Sequence, residues 1–194
     1  EGDWSQAAFW TVGGALGAGI TASGVDFASL QGDKAVVEIM QRMGADIAKT
    51  DDSVTVNSGA TQATIIDASN CPDIIPVLTV LAAVSEGTTK IINAGRLRIK
   101  ECDRLAAMTS ELNKMGAEIT EEPEGLTITG KPEGLQGGVE VDAWNDHRIA
   151  MSLAIAAQCC AEPIILTGAG SVSKSYPDFW QDYQSVGGKI EVLA

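Results

Sequence analysis

The chain has 194 residues, of which 45% are hydrophobic, so it is long enough to bury a substantial core as one domain or two small ones. Its formal net charge of −13 argues against nucleic acid or an anionic membrane as the partner, because such surfaces attract basic proteins. Four cysteines without C-x-x-C spacing, and a single histidine, do not predict a zinc site, and they favour a reducing, cytoplasmic location.

Two kinds of helix are predicted along the chain. Three segments are apolar nearly all round and should lie in a core, namely SQAAFWTVGGALGA, IIPVLTVLAAVSEG and HRIAMSLAIAAQCC. Each is followed by an amphipathic segment with apolar residues at helical spacing, namely KAVVEIMQRM, RLAAMTSELNKM and FWQDYQSV. Short β-rich runs lie among them, including TKIINAG, LTITG, GVEVDAW and PIILTGAG.

An internal repeat organises these elements. The sequence MGADI at 43–47 returns as MGAEI at 115–119 and, more weakly, as VGGKI at 186–190, each time with a glycine suited to a left-handed helix cap. We therefore predict an α/β (α+β) fold of three βαβαββ repeats with pseudo-threefold symmetry, with buried helices inside and sheets and amphipathic helices outside. The repeats run approximately over 1–72, 73–145 and 146–194 of a single domain, 1–194, and the last is incomplete. Because that repeat lacks a strand and the chain begins without methionine, we expect a piece of a longer protein.

Each predicted buried helix begins just after an aspartate, Asp3, Asp73 or Asp146. Aspartate is a favoured N-cap, and Gln6 stands where a capping box would need it. If the three repeats are related by symmetry, the three helix N-termini point to one face. Aligned helix dipoles and free N–H groups would make that face attractive to anions.

The scarce cations gather where that face is expected. Arg104, Arg148 and Lys174 stand at predicted helix starts, the last just before Ser175 as cap, and a cation there costs roughly 0.3–1 kcal/mol unless an anion compensates. Arg96, Arg98 and Lys100 alternate, so a strand would project all three to one side. Together they predict an anion-binding site.

The cysteines and the single histidine say less about function than the cations do. His147, the only histidine, adjoins Arg148, and both a structural and a functional role remain open. Cys102 has no evident base beside it, so an inert thiol is expected, and Cys159 and Cys160 are expected to fill the core.

Four stretches carry a family resemblance. KECDRL (100–105), NDHRIAM (145–151) and SKSYPDFW (173–180), with CPDIIPVLTVLAAVSEGTT upstream, resemble the C-terminal half of the 5-enolpyruvylshikimate-3-phosphate synthases, which are enolpyruvyl transferases. The resemblance implies one of two domains that close on substrate, with the N-terminal domain absent. It implies transfer of the enolpyruvyl group of phosphoenolpyruvate to the 5-hydroxyl of shikimate 3-phosphate, with release of phosphate and no metal or organic cofactor.

The resemblance also implies roles for single residues. Asp73 would accept the 5-hydroxyl proton, and Glu101 would move a proton to and from the methylene carbon of phosphoenolpyruvate. The implied substrate-binding residues are Lys100 for shikimate 3-phosphate, Arg104, Arg148 and Lys174 for phosphoenolpyruvate, and His147 and Asp146 in support. Without its first domain, this chain should show little or no turnover.

The sequence leaves two alternatives open. A transferase that moves enolpyruvate to UDP-N-acetylglucosamine would share the fold and the repeat, although NDHRIAM together with KECDRL favours the shikimate enzyme. A non-catalytic anion-binding domain of the same fold is the other, against which stands the intact set of charged residues.

Overall fold

The computed structural model describes residues 2–193. Its helices are α1 (Trp4–Leu16), α2 (Ala35–Arg42), α3 (Ile75–Ala83), α4 (Arg104–Lys114), α5 (His147–Ala156) and α6 (Phe179–Ser185). Its strands are β1 (Ile20–Ser23), β2 (Asp46–Lys49), β3 (Ser53–Asn57), β4 (Ile65–Asp67), β5 (Thr88–Ile92), β6 (Glu118–Glu122), β7 (Gly125–Thr129), β8 (Leu135–Gly137), β9 (Glu140–Asp142), β10 (Cys160–Glu162) and β11 (Ile165–Thr167). Short 3-10 helices cover Gly32–Lys34, Pro72–Ile74, Gly95–Ile99, Ala157–Cys159 and Ala169–Lys174.

The strands form one three-stranded sheet, one four-stranded sheet and two pairs. The order β1-β3-β2 is antiparallel throughout, whereas in β4-β5-β7-β6 the first pair is parallel and the others are antiparallel. Strands β8 and β10, and strands β9 and β11, pair in parallel. Along the chain, the order β4–α3–β5–α4–β6–β7 is the βαβαββ order predicted for a repeat.

The three apolar helices α1, α3 and α5 form the core, as predicted. They pack against one another, and every residue of α3 is buried. Trp4, Phe9 and Leu78 are completely shielded from solvent. Burying such a side chain contributes about 1.5–3 kcal/mol, so this central packing is the main source of stability.

The predicted glycine lies two residues beyond the last residue of each of the amphipathic helices α2, α4 and α6. Gly44, Gly116 and Gly187 have φ angles of 84°, 100° and 100°, which lie in the left-handed region that glycine adopts without strain. These caps confirm the local prediction. The threefold symmetry and the repeat bounds 1–72, 73–145 and 146–194 stay predictions.

The basic stretch 96–100 is not a strand, so that prediction was wrong. It forms the 3-10 helix Gly95–Ile99, and Arg98 turns away to donate to the carbonyls of Pro123 and Glu122 and to the carboxylates of Asp103 and Glu121. These bonds hold the guanidinium of Arg98 against the β6–β7 turn and the N-cap of α4, so it is engaged by the protein's own acceptors.

Two predicted helix caps were also wrong. Gln6 forms no capping box, because its side chain donates to the carbonyl of Ser175. Helix α6 begins at Phe179 rather than after Ser175, and Lys174 closes the preceding 3-10 helix. None of the helices within residues 2–193 combines the length and the apolar composition needed to cross a lipid bilayer.

Candidate active site

Arg104, the first residue of α4, is the centre of a charged cluster. Its side chain is 1% exposed and binds three carboxylates from separate parts of the chain. Nε donates to Asp146 Oδ2 over 2.7 Å, Nη1 to Asp73 Oδ1 over 2.8 Å, and Nη2 to Glu101 Oε2 over 2.7 Å. Charge-assisted bonds of this length are strong, so Arg104 fixes the relative positions of the three carboxylates.

Asp146 lies at the junction of the cluster and α5. Its side chain is fully buried, and Oδ1 accepts the backbone N–H of Arg148 over 2.8 Å, so it caps the helix as predicted. Burial acts to raise its pKa, but the bonds and charge of Arg104 outweigh that effect and hold the pKa of Asp146 below its ordinary value. Asp146 is therefore ionised while it serves both partners.

Asp73 is the accessible carboxylate on the other side of Arg104. It lies in the 3-10 helix before α3, where it caps nothing, and 29% of its side chain is exposed. Its oxygens lie 3.2 Å from Lys100 Nζ and 3.6 Å from Arg148 Nη2. Burial acts to raise the pKa of Asp73, but the neighbouring cations, Arg148 foremost, lower it below the ordinary value.

Glu101 and His147 are neighbours at the side of the cluster where Glu101 is partly exposed to solvent. The side chain of Glu101 is 40% exposed, and its Oε1 lies 4.0 Å from His147 Nδ1. His147 is buried, and burial, followed by the charge of Arg148, lowers the pKa of its imidazole below 6.5. Within residues 2–193, Nδ1 of His147 has no hydrogen-bond partner.

Lys174 does not bind a member of the cluster directly but is linked to it through Asn145. Its ammonium donates to the carbonyl oxygen of Asn145 and, over 2.8 Å, to Oδ1 of the same residue, which directly precedes Asp146. The structure thus brings seven of the eight predicted site residues together and joins Lys174 to them through Asn145. The seven are Asp73, Lys100, Glu101, Arg104, Asp146, His147 and Arg148.

Two further polar residues belong to this region and were missed. The hydroxyl of Ser5 accepts from Arg148 Nη2 over 3.0 Å and donates to Asp3 over 2.7 Å, which ties the site to the capped start of α1. Asp33 is the second. Its own burial, and then the negative charge of nearby Asp73, raise its pKa to about 6. Ser5 follows a correctly predicted cap, which was a usable signal, whereas no local pattern marks Asp33.

The four cysteines are free thiols whose pKa values are raised. Burial, and then the charge of Asp146 at 3.6 Å, raise the pKa of the Cys102 thiol to about 12, so the expected inert role agrees with the geometry. The prediction that Cys159 and Cys160 fill the core holds only in part, because both are half-buried, in the 3-10 helix after α5 and at the start of β10. Within residues 2–193, no group of three or more His, Cys, Asp or Glu side chains is arranged to hold a metal ion.

Comparison with known proteins now gives the cluster a context. The family model for EPSP synthase (3-phosphoshikimate 1-carboxyvinyltransferase) matches residues 1–183. The chain is 56% identical to the 3-phosphoshikimate 1-carboxyvinyltransferase of Clostridium kluyveri and 55% identical to that of Clostridium novyi, in each case over 191 residues. These alignments cover 98% of this chain but only 44% and 43% of the relatives, so the chain spans less than half of their length.

Solved structures agree with the sequence comparison. An EPSP synthase from Acinetobacter baumannii superposes with a TM-score of 0.89 at 30% identity, over 98% of this chain and 47% of that one. The enolpyruvyl transferase NikO from Streptomyces tendae superposes with a TM-score of 0.79 at 22% identity, over 97% of this chain and 44% of that one, which shows a shared fold. The sequence match and the superposition agree that the chain belongs to the EPSP synthase (3-phosphoshikimate 1-carboxyvinyltransferase) family.

Proposed function

We propose that this chain is the C-terminal half of an enzyme that transfers the enolpyruvyl group of phosphoenolpyruvate to the 5-hydroxyl of shikimate 3-phosphate. The convergence of three cations and three carboxylates within bonding distance, in a chain of this family, is the observation that carries the proposal. Both substrates are polyanions, so a site for them needs concentrated positive charge together with groups that move protons.

Three cations are suited to bind the anionic groups. Lys100 and Arg148 are paired with the partly exposed Asp73, and Lys174 is bound to the neutral Asn145. A phosphate or carboxylate offers each of them a charged acceptor in exchange. We assign Lys100 to shikimate 3-phosphate, and Arg148 and Lys174 to phosphoenolpyruvate, with His147 in support.

Arg104 can bind substrate only if it releases one of the carboxylates that it already binds. Its bond to Asp146 is buried, but Asp73 and Glu101 are partly exposed, so a substrate carboxylate can replace one of them on the guanidinium. The proposal therefore gives Arg104 two tasks. It aligns the carboxylates in the free protein, and it binds phosphoenolpyruvate once substrate enters.

The two exposed carboxylates can carry out the proton transfers. Asp73, whose lowered pKa keeps it ionised, accepts the proton of the attacking 5-hydroxyl. Glu101 delivers a proton to the methylene carbon as the hydroxyl oxygen bonds to the adjacent carbon. When the carbon–oxygen bond to phosphate breaks, Glu101 takes a proton back from the resulting methyl group, so the double bond is restored, and the proton held by Asp73 passes to the departing phosphate. The net products are the enolpyruvyl ether and inorganic phosphate.

The proposal includes a partner and a location. The partner would be the rest of the protein, which corresponds to the part of the relatives that this chain does not match. It would cover the site and supply further contacts. The free cysteines of the described chain suit the cytoplasm, where we place the enzyme. This chain alone should release no phosphate.

A chimera tests the function directly. This chain would replace the matching segment of the Clostridium kluyveri relative, and phosphate release from phosphoenolpyruvate plus shikimate 3-phosphate would be measured. We expect release that requires both substrates, is abolished by Glu101→Gln, and is unaffected by the surface change Arg42→Gln. A chimera with the parent's thermal transition but without release would contradict the proposal.

A further inference from the structure

Glu111 is a buried carboxylate that none of the roles above uses. It lies on α4 seven residues after Arg104, so the two side chains leave the same face of the helix two turns apart. Its side chain is 1% exposed. Oε1 accepts the indole N–H of Trp144 over 3.0 Å, and Oε2 accepts the backbone N–H of Asp142 over 3.0 Å.

The segment that Glu111 holds has an unfavourable backbone conformation. Trp144 and Asn145 both have φ of 52°. Asparagine adopts this left-handed conformation more readily than most residues, but for a tryptophan it costs roughly 1–2 kcal/mol. The backbone N–H of Trp144 also donates to Asp142 Oδ1 over 2.6 Å. A turn of this kind persists only where its surroundings hold it in place.

The same turn sets the position of the cationic side of the site. Asn145 presents its carbonyl and its amide oxygen to Lys174. The next residue, Asp146, binds Arg104 and caps the helix that carries Arg148. Helix α4 therefore binds this segment at two points. Glu111 binds Asp142 and Trp144, and Arg104 binds Asp146.

We propose that Glu111 is a positioning residue, which keeps the 142–145 turn in its left-handed form and so aligns Lys174 and Arg148 for the anionic groups of phosphoenolpyruvate. This inference rests on the proposed function and deepens it. Glu111 touches no substrate. It acts through the turn.

The chemistry of the carboxylate explains why glutamate is needed. Both oxygens face N–H donors, and a glutamine of the same size would turn an NH2 group toward one of them. Lys114 donates to Oε2 over 2.7 Å, but its side chain is half-exposed, and within residues 2–193 it forms no hydrogen bond or ion pair with residues 142–145. Glu111→Gln thus breaks an anchor of the turn, whereas Lys114→Met removes only the ion pair.

The first experiment compares these variants in the Clostridium kluyveri chimera. Glu111→Gln should raise the KM for phosphoenolpyruvate at least tenfold, while Lys114→Met should change it less than twofold. Trp144→Phe, which removes the indole N–H together with the pyrrole ring, should shift the KM in the same direction by a smaller factor. An unchanged KM in a folded Glu111→Gln chimera would overturn the proposal.

The second experiment needs no activity. In the ¹⁵N-labelled chimera, the indole N–H signal of Trp144, assigned as the one that Trp144→Phe removes, should exchange with solvent at least tenfold faster in Glu111→Gln and at an unchanged rate in Lys114→Met. Unchanged exchange in Glu111→Gln would refute the anchoring. If the unsubstituted chimera released no phosphate, the proposed function would fail, and this exchange rate alone would decide whether Glu111 holds the turn.

Discussion

Arg104 and Asp146 form a buried ion pair that joins the starts of two helices. Arg104 is the first residue of α4, and Asp146 is the N-cap of α5. A cation at a helix start opposes the helix dipole, and the sequence predicts a bound anion that compensates. In the structure, the protein's own carboxylates supply this compensation, from Asp146, Asp73 and Glu101. The charged cluster is thus held together by contacts within the chain itself.

Replacing Arg104 should strongly destabilise the fold. Arg104→Met leaves the fully buried carboxyl group of Asp146 without its cation, and breaking one side of a buried pair costs about 3–5 kcal/mol. The free energy of unfolding, measured in urea, should fall by that amount. Arg42→Met is the matched control, because its exposed i,i+4 pair with Glu38 is worth about 0.3–0.5 kcal/mol.

A double variant tests the cause of that loss. If the unpaired charge of Asp146 is responsible, Asp146→Asn added to Arg104→Met should recover part of the lost stability, because a neutral amide is less costly to bury. Strictly additive losses would show that lost packing, rather than the uncompensated charge, dominates.

The sequence predicted the core and most of the site because their signals are local. Helices apolar on all sides identify α1, α3 and α5, and glycines mark the ends of α2, α4 and α6. Motif residues at helix starts identified the charged cluster. The basic stretch 96–100 was misassigned because the partners that shape it lie about 25 residues away, where Arg98 meets Pro123. Asp33 was missed for the same reason, since only the folded chain brings it near Asp73.

Asp33 should make stability depend on pH. Its pKa is raised to about 6 from an ordinary value of 3.8, so ionising it costs more in the folded chain than in the unfolded one. Below about pH 4 both states are protonated, and Asp33→Asn should change nothing. Above that pH, Asp33→Asn should raise the melting temperature. The increase should grow between pH 4 and pH 6 and stay constant above pH 6.

The matched control for this profile is Asp51→Asn, in the exposed turn between β2 and β3. It should alter the melting temperature little at any pH from 4 to 8. A gain for Asp33→Asn that is equally large at pH 4 would contradict the assigned ionisation.

Gly125 should tolerate no side chain. It opens β7 beside β5, and a Cβ there would lie 2.0 Å from the carbonyl oxygen of Ile91, so the two strands would have to move apart. Such overpacking typically costs about 1–3 kcal/mol, which urea unfolding of Gly125→Ala should reveal. Gly59→Ala is the control, because a Cβ at Gly59 meets nothing within 4 Å. Equal stability of the two variants would exclude the close approach of β5 and β7.

The four cysteines should react slowly with a thiol reagent while the chain is folded. Burial raises the pKa of Cys71 and Cys160 to about 11 and, as the largest cause, that of Cys102 and Cys159 to about 12. Because the thiolate is the nucleophile, a pKa two or more units above the ordinary value lowers the reactive fraction about a hundredfold. Reaction with a disulfide reagent at pH 8 should therefore be at least tenfold slower in the folded chain than in guanidinium.

The same experiment examines Cys102, which lies beside Glu101, the proposed proton donor. If one thiol reacted quickly in the folded chain, and Cys102→Ser removed that fast phase, Cys102 would be ionised in spite of the charge of Asp146 at 3.6 Å. The inert role would then be wrong. With all four thiols slow, Cys102→Ser should also leave phosphate release by the chimera unchanged, because a neutral thiol that only packs against the cluster moves no proton in the proposed reaction.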